Sequence, residues 1–303
     1  MMTRTINPAD LLPNEFYKFM IGTIGPRPIA FASTIDAQGN VNLSPFSFFN
    51  VFGYNPPTLV FAPSINRHGH KKHTLLNVEE VGEVVINVVN YAMVEQMSLA
   101  SAEFERGVNE FSKAGFTAVA SDKIRPPRVA ESPAAYECIV KQIIATNHDD
   151  DGPEFRPGAG HLVICEVVMA HLHSTIFDEK GTLDPHRVDL IGRLGGDWYA
   201  RAHGDALFAV GRPKTGIGVD QIPTTIRNSA ILTGNDLGKL GSVDALPSPA
   251  DISAYRESGT LNPLFDEAQN GCQYLPDLLH LKAKQLLAEN NVREAWMTLL
   301  QAI

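Results

Sequence analysis

Cysteine is scarce in this chain: Cys138, Cys165 and Cys272 are the 3 in 303 residues. They lie far apart and are odd in number, so they make neither a disulfide framework nor a zinc pattern, and buried free thiols are expected. Basic residues are in deficit, 25 Lys and Arg against 34 Asp and Glu, for a formal charge of −9. A nucleic acid partner needs a basic face, so that class is excluded. Long apolar runs are missing too. None approaches membrane-spanning length, and Pro8, Asp10, Pro13, Asn14 and Glu15 break the start of the chain where a signal peptide would be apolar. The expectation is a cytoplasmic protein with no membrane and no nucleic acid partner. No internal repeat and no Ser-His-Asp or Cys-His arrangement is readable.

What is present is a large apolar share, 44%. That is ample for one large domain or two modest ones. The densest information lies in residues 27–50. Ile29, Phe31 and Ser33 alternate with Ala30, Ala32 and Thr34, the period of a strand. Asp36 and Gly39 sit where a reversing backbone wants them. The second arm is odd for a core strand. Ser44, Ser47 and Asn50 are small and polar, and Pro45 denies the ladder a donor. Such a hairpin suits a ligand that is part ring, part polyol and part phosphate. The plain alternative is an irregular edge strand with capping hydroxyls.

Strands are also expected over 58–62, after the Asn55-Pro56-Pro57 turn, over the β-branched run 82–89, and over 135–145 and 162–173. Short helices fit residues 75–81 and 92–101. Successive strands lack long helices between them, so a βαβ sheet is disfavoured and a closed antiparallel barrel with peripheral helices fits better. The character changes near residue 205. Residues 211–219 read as a loop, and Pro247-Ser248-Pro249 as a linker or a helix start. From Pro276 one strong amphipathic helix is expected, with Leu279, Ala283, Leu286, Leu287, Trp296 and Leu299 in its apolar stripe. Its mixed polar face argues against a membrane surface and for packing on the barrel or across a dimer. The division is therefore 1–205 and 206–303, the latter a mixed, helical extension.

Other clusters read plainly. His68, His70 and His73 crowd Lys71 and Lys72 but lack a completing acid, and no metal site is expected. His171 and His173 share a strand face, which solvent suits better than a metal pair. Asp149 to Gly152 lacks the ligand spacing of a calcium loop and reads as a solvated turn.

Taken together, Gly25 to Thr34, Asn42 to Asn50 with Asn55-Pro56-Pro57, Lys72 to Asn77 with Gly82 to Asn87, and Gly192 to Tyr199 resemble the flavin reductase-like, FMN-binding split-barrel family. Val108 to Phe111 and Arg125 to Arg128 extend the likeness, which covers roughly residues 15–203. The resemblance implies a six-stranded Greek-key split barrel and a homodimer that builds its flavin site between subunits. It places Arg27, Pro28, Ile29, Ser33 and Thr34 beside the isoalloxazine ring. Ser44, Pro45, Phe46 and Ser47 would line the ribityl chain and phosphate, with Asn50 closing that wall. Lys72 and Thr74 would meet the phosphate, and His73 stands where the family has Asp. Without the resemblance Lys72 reads as a surface lysine. Gly160-His161 opens a strand whose family equivalent puts its His near a nicotinamide, which nominates His161 as catalytic; otherwise it is a satisfied strand residue. The Arg193 to Tyr199 loop, with Tyr199 as a cofactor contact, would fold over the flavin, or else is a tight turn with packed aromatics.

The activity implied is hydride transfer from NADH or NADPH to flavin N5 and on to a small-molecule acceptor, with FMN as cofactor. The alternative is an FMN-holding electron carrier or sensor without nicotinamide activity. A third reading is an oxidase acting on another substrate. The extension would cover the flavin mouth, enlarge the dimer interface or regulate access.

Overall fold

The computed structural model describes residues 2–146, 157–271 and 274–302. The solvated turn expected at Asp149 to Gly152 and the fate of Cys272 lie outside them. The chain forms two compact units, Met1–Phe208 and Ala209–Ile303.

The first unit opens with α1 (Pro13–Thr23). It then builds on one antiparallel sheet of β1 (Ala30–Ile35), β2 (Val41–Phe46), β3 (Phe49–Tyr54), β4 (Pro57–Phe61), β5 (Glu83–Val88), β8 (Ala134–Ala145) and β9 (His161–Leu172). Two short pairs stand apart from it, β6 (Ala118–Val119) with β7 (Arg128–Val129), and β10 (Ile191–Arg193) with β11 (Tyr199–Arg201). The order in the seven-stranded sheet is β2-β1-β5-β8-β9-β4-β3. Its two edge strands, β2 and β3, are separated in the chain only by Ser47 and Phe48. Two edges tied by so short a link must come together, so the sheet curls into a barrel. The count differs from the expected six for a local reason. The polar second arm of the hairpin breaks at Ser47-Phe48, its first half pairing with β1 and its second with β4.

The period-2 reading of β1 matches its two faces. Ile29 and Phe31 join a core with Leu43, Met93, Met97 and Phe111, while Ala30 and Ala32 join another with Phe46, Phe61, Leu75 and Val163. The helices that complete the first core are α3 (Val94–Leu99) and α4 (Glu110–Ala114). Helix α2 (His73–Val81) sends Leu75 and Val78 into the second. It ends at Gly82, whose φ of 73° is left-handed, as a helix C-terminus favours. A short α5 (Pro185–Val188) precedes β10.

The second unit is helical: α6 (Thr224–Arg227), α7 (Gly234–Gly241), α8 (Pro249–Glu257), α9 (Asn262–Asn270), α10 (Leu275–Ala288) and α11 (Val292–Leu299). Pro247-Ser248-Pro249 is a helix start, with Ser248 and Asp251 forming a capping box. The single C-terminal helix expected from the sequence is two helices, because Asn290 takes φ 60° and Asn291 caps the start of α11. Folding back lets Leu286, Leu287, Ala295, Trp296 and Leu299 share one core with Ile222, Ile226 and Leu240. Most of the apolar stripe is thus part of the core of its own unit. Among the described residues no helix is long and apolar enough to cross a membrane.

Candidate functional site

A cavity of about 690 Å³ opens in the first unit. One wall is the hairpin: Ile29, Pro45 and Ser47. A second is the α3 region, where Val94, Glu95, Met97, Ser98 and Ser101 line the cavity, Met97 also belonging to the core. The third is the β10–β11 ribbon. Arg193 pairs with Tyr199 and Ile191 with Arg201, so strand alternation puts all four on one face, and all four line the cavity. The Arg193 guanidinium lies 4.5 Å from the centre of the Tyr199 ring, and that of Arg201 lies 3.8 Å from the Tyr91 ring. Arg201 is held by two 2.7 Å hydrogen bonds to Asp189, which keep that carboxyl below its usual range.

A smaller cavity of about 100 Å³ is lined by Ser44, Lys72 and Thr74. Ser101 lines both cavities, and Ser44 and Pro45, adjacent in the chain, line one each. The α2 helix begins here. Its N-cap, Lys72, makes no side-chain capping bond, and the first N–H groups of a helix have no intrahelical acceptor. Aligned dipoles and a lysine make this end attractive to an anion. His73 is kept below its ordinary pKa by burial first and by the charges of Arg106 and Lys72 next. The buried Glu110 carboxyl is pushed up by burial while it accepts a hydrogen bond from Leu43 N–H at 3.0 Å. The two cavities together offer a chamber of aromatic, aliphatic and polar side chains beside a recess that holds Lys71, Lys72 and the start of α2 together with Glu103 and Glu110.

Residues 23–188 match the flavin reductase like domain. The chain belongs to the flavin reductase like family. It is 34% identical over 197 residues to an uncharacterized protein of Aquifex aeolicus (strain VF5), covering 65% of this chain and 95% of that one. Among solved structures, it is 28% identical to nitrilotriacetate monooxygenase component B from Bacillus cereus, with a TM-score of 0.63, covering 69% of this chain and 100% of that one. It is 31% identical to 2-nitrobenzoate 2-nitroreductase from Pseudomonas fluorescens, with a TM-score of 0.57, covering 69% and 96%. The second unit lies beyond the family match.

In this flavin reductase-like chain, Ile29, Pro45, Ser47 and Tyr199 line the large cavity, and Ser44, Lys72 and Thr74 the small one. The other expected contacts lie elsewhere. Ser33 and Thr34 are fully buried, because β1 is an interior strand paired on both sides. Thr34 Oγ1 accepts from Asn42 at 3.4 Å and Asn77 at 3.1 Å, and the Ser33 hydroxyl has no hydrogen-bond partner among the described residues. Phe46 is core, its ring 5.6 Å from that of Phe61. Pro28 and Asn50 are exposed and line neither cavity; Asn50 Oδ1 accepts from Val51 N–H at 2.8 Å.

Arg27 is a tie instead of a cavity contact. Its guanidinium donates to the carbonyls of Ile21 at 2.8 Å, Ile24 at 2.7 Å and Leu194 at 3.0 Å. His161 is 4% exposed at the start of β9, opposite Ala145, and lines neither cavity. Its main-chain N–H donates to Pro63 O at 3.1 Å.

Tyr91, Ser98, Ser101, Arg193 and Arg201 also line the large cavity, and the sequence singled out none of them as a contact. Helical spacing in 94–101 and alternation in 191–201 carry their common faces, but only the fold shows what those faces meet. His171 is partly exposed, and its ring is held by a buried acid. It stands 2.6 Å from Oε1 of the buried Glu137, which also accepts from Asp122 and Lys123 N–H. Asp122, Glu137 and His171 are the one grouping among the described residues with metal-ligand atoms close together. At 2.6 Å the last two are hydrogen-bonded. Two ligands of one tetrahedral ion would stand farther apart, about 3.3 Å. Cys138 and Cys165 are buried free thiols, and burial pushes Cys165 up to about 12.

Proposed function

We propose that this chain binds FMN and acts as an NAD(P)H-dependent flavin oxidoreductase that passes electrons to a small-molecule acceptor. The observation that carries the reading is the junction at Ser101. It joins a recess with an uncapped helix start and Lys72 to a larger chamber walled by Tyr91 and Tyr199. A ligand with a phosphate at one end and a flat ring at the other fits that order. Family membership supports a flavin as that ligand.

FMN, when bound, supplies the hydride chemistry. The protein's part is to bind and orient. Lys72 and the N–H groups of His73 and Thr74 would hold the phosphate, and Ser44 and Ser47 the polyol. Ile29, Pro45 and Tyr199 would exclude water from the ring. No step requires a protein acid or base, so the enclosure of His161 does not weigh against the reading. The rival is an FMN-holding carrier without nicotinamide activity.

The absorption spectrum of the purified protein with FMN, followed by anaerobic addition of NADH or NADPH, tests both. Rapid bleaching supports the enzyme. Tight FMN binding without bleaching supports the carrier, and no FMN binding overturns both.

A homodimer is part of the proposal. Edge strand β3 exposes Val51, Phe52 and Tyr54 at 65%, 70% and 94%, an apolar edge that natural sheets cover. Light scattering reads the mass, and Phe52→Asp is expected to shift it to the monomer.

A further inference from the structure

Three arginines stand at the hairpin and the ribbon, and they differ in what holds them. Arg27 gives its donors to the Ile21, Ile24 and Leu194 carbonyls. Arg201 is locked to Asp189 by two hydrogen bonds. Arg193 makes one side-chain hydrogen bond, to Gly196 O at 2.5 Å, and no ion pair among the described residues. A guanidinium carries five N–H donors, so most of those on Arg193 are uncommitted.

Its setting favours a bound anion. Arg193 is half-buried and lines the large cavity, its guanidinium lying over the Tyr199 ring so that the fork is oriented before any ligand arrives. The acids at this cavity, Glu95 and Asp197, are exposed, and water screens them. A planar, pre-oriented guanidinium matches a carboxylate or phosphate through paired N–H donors. The cofactor's phosphate has its own recess, the one with Lys72 and the α2 start, and Arg193 does not line it.

We propose that Arg193 recognises an oxyanion, a carboxylate or a phosphate, on the substrate that shares the large cavity with the flavin. This rests on the flavin reading of the two cavities. The substrate class is therefore anionic, either an acceptor carrying a carboxylate or the pyrophosphate of a nicotinamide dinucleotide.

Calorimetric titration of the full chain loaded with FMN tests this, with benzoate, benzamide and ADP as probes. The wild type should bind benzoate well above benzamide, or bind ADP. Arg193→Gln should weaken that anionic probe by about tenfold or more, as loss of a charge-assisted contact does. Arg193→Lys should recover part of the loss, and FMN affinity should stay unchanged. A loss confined to benzoate assigns the anion to an acceptor; a loss confined to ADP assigns it to the reductant. Either supports the proposal. Equal affinity for benzoate and benzamide together with no ADP binding overturns it. So does an unchanged titration in Arg193→Gln, or a fall in that variant's FMN affinity. If the wild type takes no FMN, the flavin reading fails separately, and the same titrations on the unloaded chain still decide the role of Arg193.

Discussion

The main chains of Arg27 and Arg193 exchange two hydrogen bonds, Arg27 N–H to Arg193 O at 2.9 Å and Arg193 N–H to Arg27 O at 2.8 Å. This bridge ties the entry of the first hairpin to the ribbon that forms another wall of the cavity. Gly192 permits it, since a Cβ there would come within 2.6 Å of the Pro26 Cβ. The Arg27 side chain strengthens the same joint by bonding Leu194 and the end of α1.

Arg27→Met is expected to destabilise the first unit by about 3 kcal/mol: hydrogen bonds to a charged group contribute roughly 1.5–3 kcal/mol each, and solvent at the partly exposed guanidinium reduces the sum over its three carbonyl bonds. Arg27→Lys should recover little, because one ammonium cannot reproduce the planar fork. Urea unfolding of the variants measures the loss. Unchanged stability in Arg27→Met would show that the tie contributes nothing.

Lys72→Ala should weaken FMN binding by roughly tenfold to a hundredfold and leave riboflavin, which lacks the phosphate, unaffected. Flavin fluorescence quenching compares the two ligands. An equal loss for both would place Lys72 away from the phosphate.

Thr34→Val removes an acceptor shared by the Asn42 and Asn77 side-chain amides, while Asn42 keeps its 2.8 Å bond to Thr74 Oγ1. A cost of about 1–3 kcal/mol in stability is expected from the buried donors left unpaired, with FMN affinity unchanged. A cofactor role for Thr34 would give the reverse pattern, weak flavin binding at full stability.

Glu110 has its pKa raised from the ordinary 4.5, chiefly by burial. The native state therefore holds this proton to higher pH than the unfolded chain does. Its contribution to stability is fully present below the ordinary value and is lost as pH rises through the raised one. Glu110→Gln should flatten that part of the pH profile of unfolding. A profile identical to the wild type's would remove Glu110 from the account.

Much of the strand framework is readable from local pattern. Period-2 alternation marks β1, and β-branched composition marks β5. What alternation cannot say is whether a strand is central or at an edge. Ser33 and Thr34 resemble ligand-facing hydroxyls until β5, far along the chain, pairs with β1 and seals them in. His161 is another such case, since a strand start looks open until its neighbours close over it. In the second unit the helical stripe is legible, but the turn at Asn290 depends on one left-handed residue and is easily read through.

The sequence by itself determined the family, the β framework with a helical extension, and a set of small polar and cationic residues suited to a phosphate and a ring. Those properties are local, written in periodicity, turn chemistry and residue type. Tertiary structure alone decided which of those residues meet. It put Ser44 and Lys72 at one recess and Ile29, Ser47 and Tyr199 at the adjoining chamber. It withdrew Ser33, Thr34, Phe46 and His161 into the interior, and gave Arg193 the place at the cavity that Arg27 lacks. The physical reason is that burial and pairing are set by contacts between segments distant in the chain, and no local pattern carries them.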